Sequence, residues 1–242
     1  MNGGAWERMV TEDAWGVWGS GTWSGRDVLW LTPHVALGDA TWERVSARVQ
    51  QLSTLEHPAL PLGSAELPRG RSIAFPLVEG TPWNTRSDGP AALDALAALH
   101  ALGVGHGGDV AAHILNAEGV FTVRGAGVCD LFAPQRLTRT LSHERRLDEV
   151  TEARRDDVFA FAVAWLDRSG AQWLEGADAR RALRREALDR AVAPAERLCP
   201  RLGPAEAAAL DRARGPLRPS NASVLRAALV PAMEQDLSLI HI

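Results

Sequence analysis

Apolar and polar positions follow two different spacings along the chain, and the spacing changes near residue 90. In the first third, AWGVWGSGTW and VLWL are separated by the polar SGRD, which predicts a strand, a turn and a second strand. ALPLGSAEL and SIAFPLVEG, separated by PRG, predict a second hairpin. Between the hairpins, DATWERVSARVQQLSTL has the apolar spacing of an amphipathic helix, with Asp39 available as its N-cap.

From Ala91 onward the apolar positions recur at helical spacing. The successive helix candidates are AALDALAALHALG, DDVFAFAVAWLD, GADARRALRREALDRAVA, GPAEAAALDRA and PSNASVLRAAL. No period of about 20 to 50 residues repeats, which argues against a solenoid. We therefore predict an α+β protein with a β-rich lobe over residues 1–80, containing one helix, and a mainly helical lobe over 81–235.

Composition excludes several classes of function. The net charge of −4 and the pI of about 6.0 argue against a nucleic-acid partner. Cys129 and Cys199 lack the spacing of a metal site or a disulfide framework. The chain has no lysine, which excludes mechanisms that need one. No apolar run reaches the roughly 18 residues of a membrane span, and no signal peptide is apparent, so we expect a cytoplasmic protein.

The last seven residues, DLSLIHI, follow the last helix candidate and resemble a translated sequencing adapter. We set residues 236–242 aside as an artefactual tail, and a short natural apolar tail is the alternative. Whether the natural protein continues beyond residue 235 stays open.

Six local patterns, in order, resemble the protein kinase family. They are LEHPAL, PLVEGTPW, LHALGVGH, ILNAEGVFTVRGAG, RRDDVFAFAVAWL and GPLRPSNASVLRAAL, and the resemblance spans roughly Glu12 to Leu229. It implies the protein kinase-like two-lobe fold of a bacterial serine/threonine kinase, with a small antiparallel β lobe carrying one regulatory helix and a larger, mainly helical lobe.

The same resemblance implies that the catalytic positions are degenerate, because none carries the side chain that phosphoryl transfer uses. The base, two metal ligands and the lysine–glutamate pair are replaced. The degenerate positions are Leu31 for the lysine, Arg48 for the helix glutamate, Gly108 for the base aspartate, His113 for the metal-binding asparagine and Gly125 for the metal-binding aspartate. A shifted register would make Asp109 the base, but it would place Ile114 at the asparagine.

Three structural positions of the family are retained: His106 of the catalytic loop, Asp157 of the central helix and Arg218 of the closing segment. We expect buried Asp157 to accept hydrogen bonds from the backbone near His106. The family pairs this arginine with the glutamate of an Ala-Pro-Glu triplet. The position of that triplet stays open between the FAPQ segment, which has a glutamine there, and Glu149. The phosphate loop falls near RMVTEDA, which has no glycine, with GSGTWSG as the weaker candidate.

The function implied is that of a pseudokinase, a catalytically inactive signalling scaffold or regulatory module with a protein partner. No metal or other cofactor is expected, and weak ATP binding is left open. The alternative is a divergent ATP-dependent protein or small-molecule phosphotransferase with relocated groups such as Asp109 and Asp130. Six tryptophans crowd the first lobe. We interpret them as core packing, and the alternatives are that they dock a partner or fill the empty nucleotide cleft.

Overall fold

The computed structural model describes residues 5–12, 15–34, 38–52, 65–66, 71–107, 110–127, 131, 149–172, 193–215 and 217–239. Within these ranges the strands and helices follow the order expected from the apolar spacing, with a strand-rich part first and helices after it.

Five antiparallel strands and one helix make up the first lobe. The strands are β1 (Ala5–Glu12), β2 (Gly16–Trp23), β3 (Arg26–Pro33), β4 (Ala65–Glu66) and β5 (Ile73–Pro76), arranged in the order β1-β2-β3-β5-β4. The helix is α1 (Asp39–Leu52). This is the small antiparallel β lobe with one helix that the resemblance implies, and β1 is a strand that the apolar spacing did not predict.

The β2–β3 connection decides where the phosphate loop could lie. Ser24 and Gly25 both have positive φ angles, 49° and 77°, in a two-residue turn that joins Trp23 directly to its partner Arg26. Positive φ at both central residues matches the twist of a tight hairpin. The GSGTWSG stretch is therefore a strand and a hairpin turn, and the β1–β2 connection falls at residues 13–15, at the end of the RMVTEDA stretch.

Helix α1 packs on one face of this sheet. Val45 of the helix lies in a cluster with Leu29 and Leu31 of β3, and alternate residues such as Trp30 pack on the other face. Asp39 is the first residue of the helix, and its carboxylate pairs with Arg71. The hydrogen bond and charge of Arg71 hold the pKa of the Asp39 carboxyl below its usual range.

The second lobe combines one small sheet with five helices among the described residues. Its elements are β6 (Thr81–Pro82), α2 (Gly89–Ala101), β7 (Ile114–Ala117), β8 (Val120–Val123), α3 (Glu149–Arg168), α4 (Ala195–Leu198), α5 (Pro204–Arg214) and α6 (Ala222–Leu239). Helix α3 lies at the centre, with Phe161, Trp165 and Leu166 fully buried.

Two sequence predictions concern the C-terminal side of the chain, one a helix and the other the tail. The helix predicted over GADARRALRREALDRAVA lies almost wholly outside the described residues. Helix α6 continues to Leu239, and so includes part of the segment that was set aside as a tail. In the described part of the chain, no helix is both long enough and apolar enough to cross a membrane.

Candidate functional site

Asp157 connects the central helix to the loop that corresponds to a catalytic loop. Its side chain has no exposed surface. Its carboxylate accepts hydrogen bonds from the backbone N–H groups of His106, at 2.7 Å, and Gly107, at 2.8 Å. The contact expected from the sequence is present, and it gives a buried carboxylate the partners it needs. The loop backbone is thereby fixed to helix α3.

His100 adds a third bond that the sequence analysis missed. Its Nδ1 accepts the backbone N–H of Ala222, at 2.9 Å, so its Nε2 carries the proton and donates to Asp157, at 3.0 Å. Helices α2, α3 and α6 are therefore joined through one imidazole. A histidine on the apolar face of the Ala- and Leu-rich helix was the available signal, since a buried histidine needs polar partners.

His106 and His113 are both buried, and both contact Arg124, the residue that precedes Gly125. The Nε2–H of His106 donates to the carbonyl of Arg124, at 2.9 Å. The Nε–H of Arg124 points at Nδ1 of His113, at 3.4 Å. His113 therefore directs a ring lone pair at a cation, which is an unsuitable arrangement for a metal ligand.

Two tryptophans of the first lobe pack against these histidines. The ring of Trp15, which is 4% exposed, lies 4.3 Å from His106 and 4.6 Å from His113, between ring centroids. Trp18 lies 5.4 Å from His113, and its ring faces the guanidinium of Arg124 at 5.5 Å. Their indoles therefore occupy space between the lobes, above the loop that begins at His106.

The described tryptophans of the first lobe pack in its core, as the core-packing interpretation predicts. Trp30 lies in one apolar cluster, and Trp15 and Trp18 lie in the other. Trp15 and Trp18 also contact His113 of the second lobe, as the cleft-filling alternative predicts. None of the tryptophans with a described side chain is exposed, so these rings present no aromatic docking surface.

The positions that the resemblance assigns to the lysine–glutamate pair carry an apolar residue and a cation. Leu31 is fully buried, and its Cα pairs with that of Trp18 on β2 and that of Ile73 on β5. Arg48 of helix α1 donates from Nη1 to the carbonyl oxygen of Gly127, at 3.1 Å. The helix that would carry a glutamate thus reaches the second lobe through an arginine.

The positions that the resemblance assigns to metal ligands, His113 and Gly125, carry no acidic side chain. Gly125 adopts a positive φ of 75° in the turn after β8 and has no side chain to offer a metal. No group of three His, Cys, Asp or Glu side chains within the described ranges could hold a metal ion. Gly108, Asp109 and Asp130 lie outside the described residues.

Arg218 lies in a buried and partly cationic environment. Burial lowers the pKa of its guanidinium to about 10, an effect that the Asp156 carboxylate opposes and the Arg155 charge reinforces. The guanidinium also lies 5.1 Å from the centroid of the Phe159 ring. Asp156 is therefore an acidic neighbour that the sequence analysis did not propose. The FAPQ segment and the Glu149 side chain lie outside the described part of the chain.

Comparisons of structure identify the fold. The kinase domain of PknI from Mycobacterium tuberculosis superimposes with a TM-score of 0.63 and 19% sequence identity, covering 95% of this chain and 96% of that one. A single-substitution mutant of that domain gives a TM-score of 0.68 at 19% identity, with 96% of each chain covered. No family model and no curated protein matches the sequence. The chain has the protein kinase-like two-lobe fold, as its sequence motifs predicted.

Proposed function

We propose that this protein is a catalytically inactive kinase-like domain that acts as a binding or regulatory module in bacterial signalling. The single observation that carries the proposal is the position of Trp15 and Trp18, whose indoles pack against His106 and His113 between the lobes. In the protein kinase fold that space belongs to the nucleotide phosphates and their metal ions. We therefore expect these indoles to compete with a nucleotide for the same space.

The charges around this space support the same conclusion. Phosphoryl transfer depends on a cation that holds the phosphates and on acidic ligands that hold magnesium. Here the lysine position is the apolar Leu31, and His113 accepts from Arg124. The Arg124 guanidinium beside the two metal-ligand positions, His113 and Gly125, repels Mg²⁺, so it opposes metal-bound nucleotide even where it would attract free phosphate.

What is retained indicates a role for the scaffold. The bonds from Asp157 to the loop are complete, although the residues that such a loop would position for catalysis are replaced. A fold that keeps these structural hydrogen bonds while its catalytic residues are replaced suits a module that presents a surface to a protein partner. We place this partner and its signal in the cytoplasm.

Thermal unfolding with and without ATP tests the proposal. A ligand at ten times its Kd stabilises a protein by about 1.4 kcal/mol. In a chain of this size that shift is about 3 to 6 °C. We expect no shift at 10 mM ATP, with or without Mg²⁺ or Mn²⁺, and no phosphoryl transfer to protein or small-molecule substrates.

The divergent phosphotransferase is the outcome that would overturn the proposal. It requires measurable turnover that disappears when Asp109→Asn removes the only acid available in the shifted loop register. Nucleotide binding without turnover would leave the domain inactive but would make it a nucleotide sensor.

A further inference from the structure

Among the contacts that join the first lobe to the second, one comes from the β1–β2 connection and one from helix α1. The ring of Trp15, from the β1–β2 connection, packs on His106 and His113. Arg48, from helix α1, donates to the carbonyl of Gly127. We call these two contacts together the interlobe clasp.

The Trp15 contact is held firmly from the side of the sheet. The carbonyl of Trp15 accepts the backbone N–H of His34, at 3.0 Å, which ties the connection to the end of β3. The indole also meets that of Trp18 edge to face, with the ring centroids 6.4 Å apart. The backbone of Trp15 is therefore fixed to the sheet, and its ring packs on Trp18 of β2 as well as on the histidines.

The Arg48 contact connects a different element to a different loop. Val45 and Val49 of the same helix pack on the sheet. Arg48 donates instead to the turn that follows β8. The two halves of the clasp therefore restrain the sheet and helix α1 separately, and each could be broken without removing the other.

The chain between the lobes is itself fixed to the second lobe from Trp83 onward. The Trp83 indole stacks on Phe161 at 5.0 Å and donates to the carbonyl of Ala111, at 3.1 Å. Arg86 follows and pairs with the buried Glu206. Leu77 is tied to the first lobe, because its backbone N–H donates to the carbonyl of Asp27 at 3.3 Å. Residues 78–80 therefore connect the part of the chain fixed to one lobe with the part fixed to the other.

We infer that the interlobe clasp holds the two lobes in one closed arrangement without any ligand. Without the clasp, the small lobe would rotate as a unit about residues 78–80. The clasp thus takes over the joining of the lobes that a nucleotide held between them would otherwise provide. The inference does not depend on whether the protein catalyses a reaction, since it concerns only contacts within the chain.

Hydrogen exchange on the whole chain, without nucleotide, tests the clasp. Arg48→Ala should speed exchange of the α1 amides about tenfold, which corresponds to about 1.4 kcal/mol. Arg44→Ala, at an exposed position of the same helix, is the matched control and should leave exchange unchanged. Arg48→Lys keeps a donor and should restore part of the protection.

A second set of variants tests the Trp15 contact of the clasp. Trp15→Ala combined with Arg48→Ala should increase the radius of gyration measured by small-angle scattering, because the small lobe is released. Trp23→Ala removes an indole that packs on the Trp30 side of the sheet and should leave the radius unchanged. Trp15→Phe keeps a ring between the lobes and should stay compact.

Three results would overturn the clasp. The first is equal α1 exchange in the Arg48→Ala and Arg44→Ala variants. The second is a double variant with the scattering profile of the natural protein. The third is faster exchange that extends equally into helix α3, because that would show loss of the whole fold instead of release of one lobe.

Discussion

Replacement of Asp157 by alanine should be among the most destabilising changes that this protein could undergo. The carboxylate accepts three hydrogen bonds, from the backbone of His106 and Gly107 and from the ring of His100. Without it, three buried N–H groups lose their acceptor, and each orphaned group costs about 1 to 3 kcal/mol. Because such losses are not additive, we expect a total near 4 kcal/mol.

The measurement is thermal unfolding, monitored by circular dichroism. For a chain of this length, about 4 kcal/mol lowers Tm by roughly 8 to 16 °C. Asp157→Asn keeps the shape and one acceptor, and we expect a smaller loss. Asp167→Ala, at an exposed position of the same helix, is the control and should change stability by at most about 0.5 kcal/mol. Equal Tm values for Asp157→Ala and Asp167→Ala would refute the reasoning.

Three further changes have defined outcomes. Leu31→Lys places a cation in a fully buried apolar cluster, so it should cost about 3 kcal/mol in urea unfolding, without creating an ATP-dependent Tm shift. Glu206→Gln removes the charge from a buried carboxylate that accepts the Trp165 indole N–H at 2.8 Å, and should lower stability by about 2 to 3 kcal/mol. Gly89→Ala would bring a Cβ to 2.3 Å from the Trp165 ring and should lower Tm through overpacking by about 1 to 3 kcal/mol; Gly38→Ala, which meets open space, should leave Tm unchanged.

Much of the fold was readable from local patterns. The alternation of apolar residues predicted two hairpins of the first lobe but not β1. The Ser24–Gly25 pair marks the tightest turn, because a two-residue hairpin needs residues that tolerate positive φ. The kinase-like two-lobe arrangement followed from the resemblance of six local motifs to the kinase family. Boundaries were less accurate, since helix α3 begins at Glu149, several residues before the predicted apolar run.

The candidate site could be assessed from the sequence wherever the conclusion depends on a missing chemical group. Leu31 and Gly125 bring no cation and no carboxylate to the site in any conformation. Burial of Asp157 was predicted from its match to the buried aspartate of the kinase family, and a buried carboxylate needs fixed donors. The prediction that the catalytic positions are degenerate rests on the same resemblance and on the residue types at those positions.

Only the tertiary structure decided which buried groups meet. Composition could not distinguish a tryptophan in the core from one between the lobes, because the hydrophobic effect favours burial of an indole without selecting its neighbour. The packing of Trp15 on two histidines, the bond from Arg48 to Gly127 and the third hydrogen bond from His100 all join residues far apart in the chain. The sequence by itself determined most of the elements, since these follow from residue types and from interactions within a few residues. It also determined which side chains stand at the positions that the resemblance assigns to catalysis. The closed contact between the lobes follows from long-range packing, which no local pattern encodes.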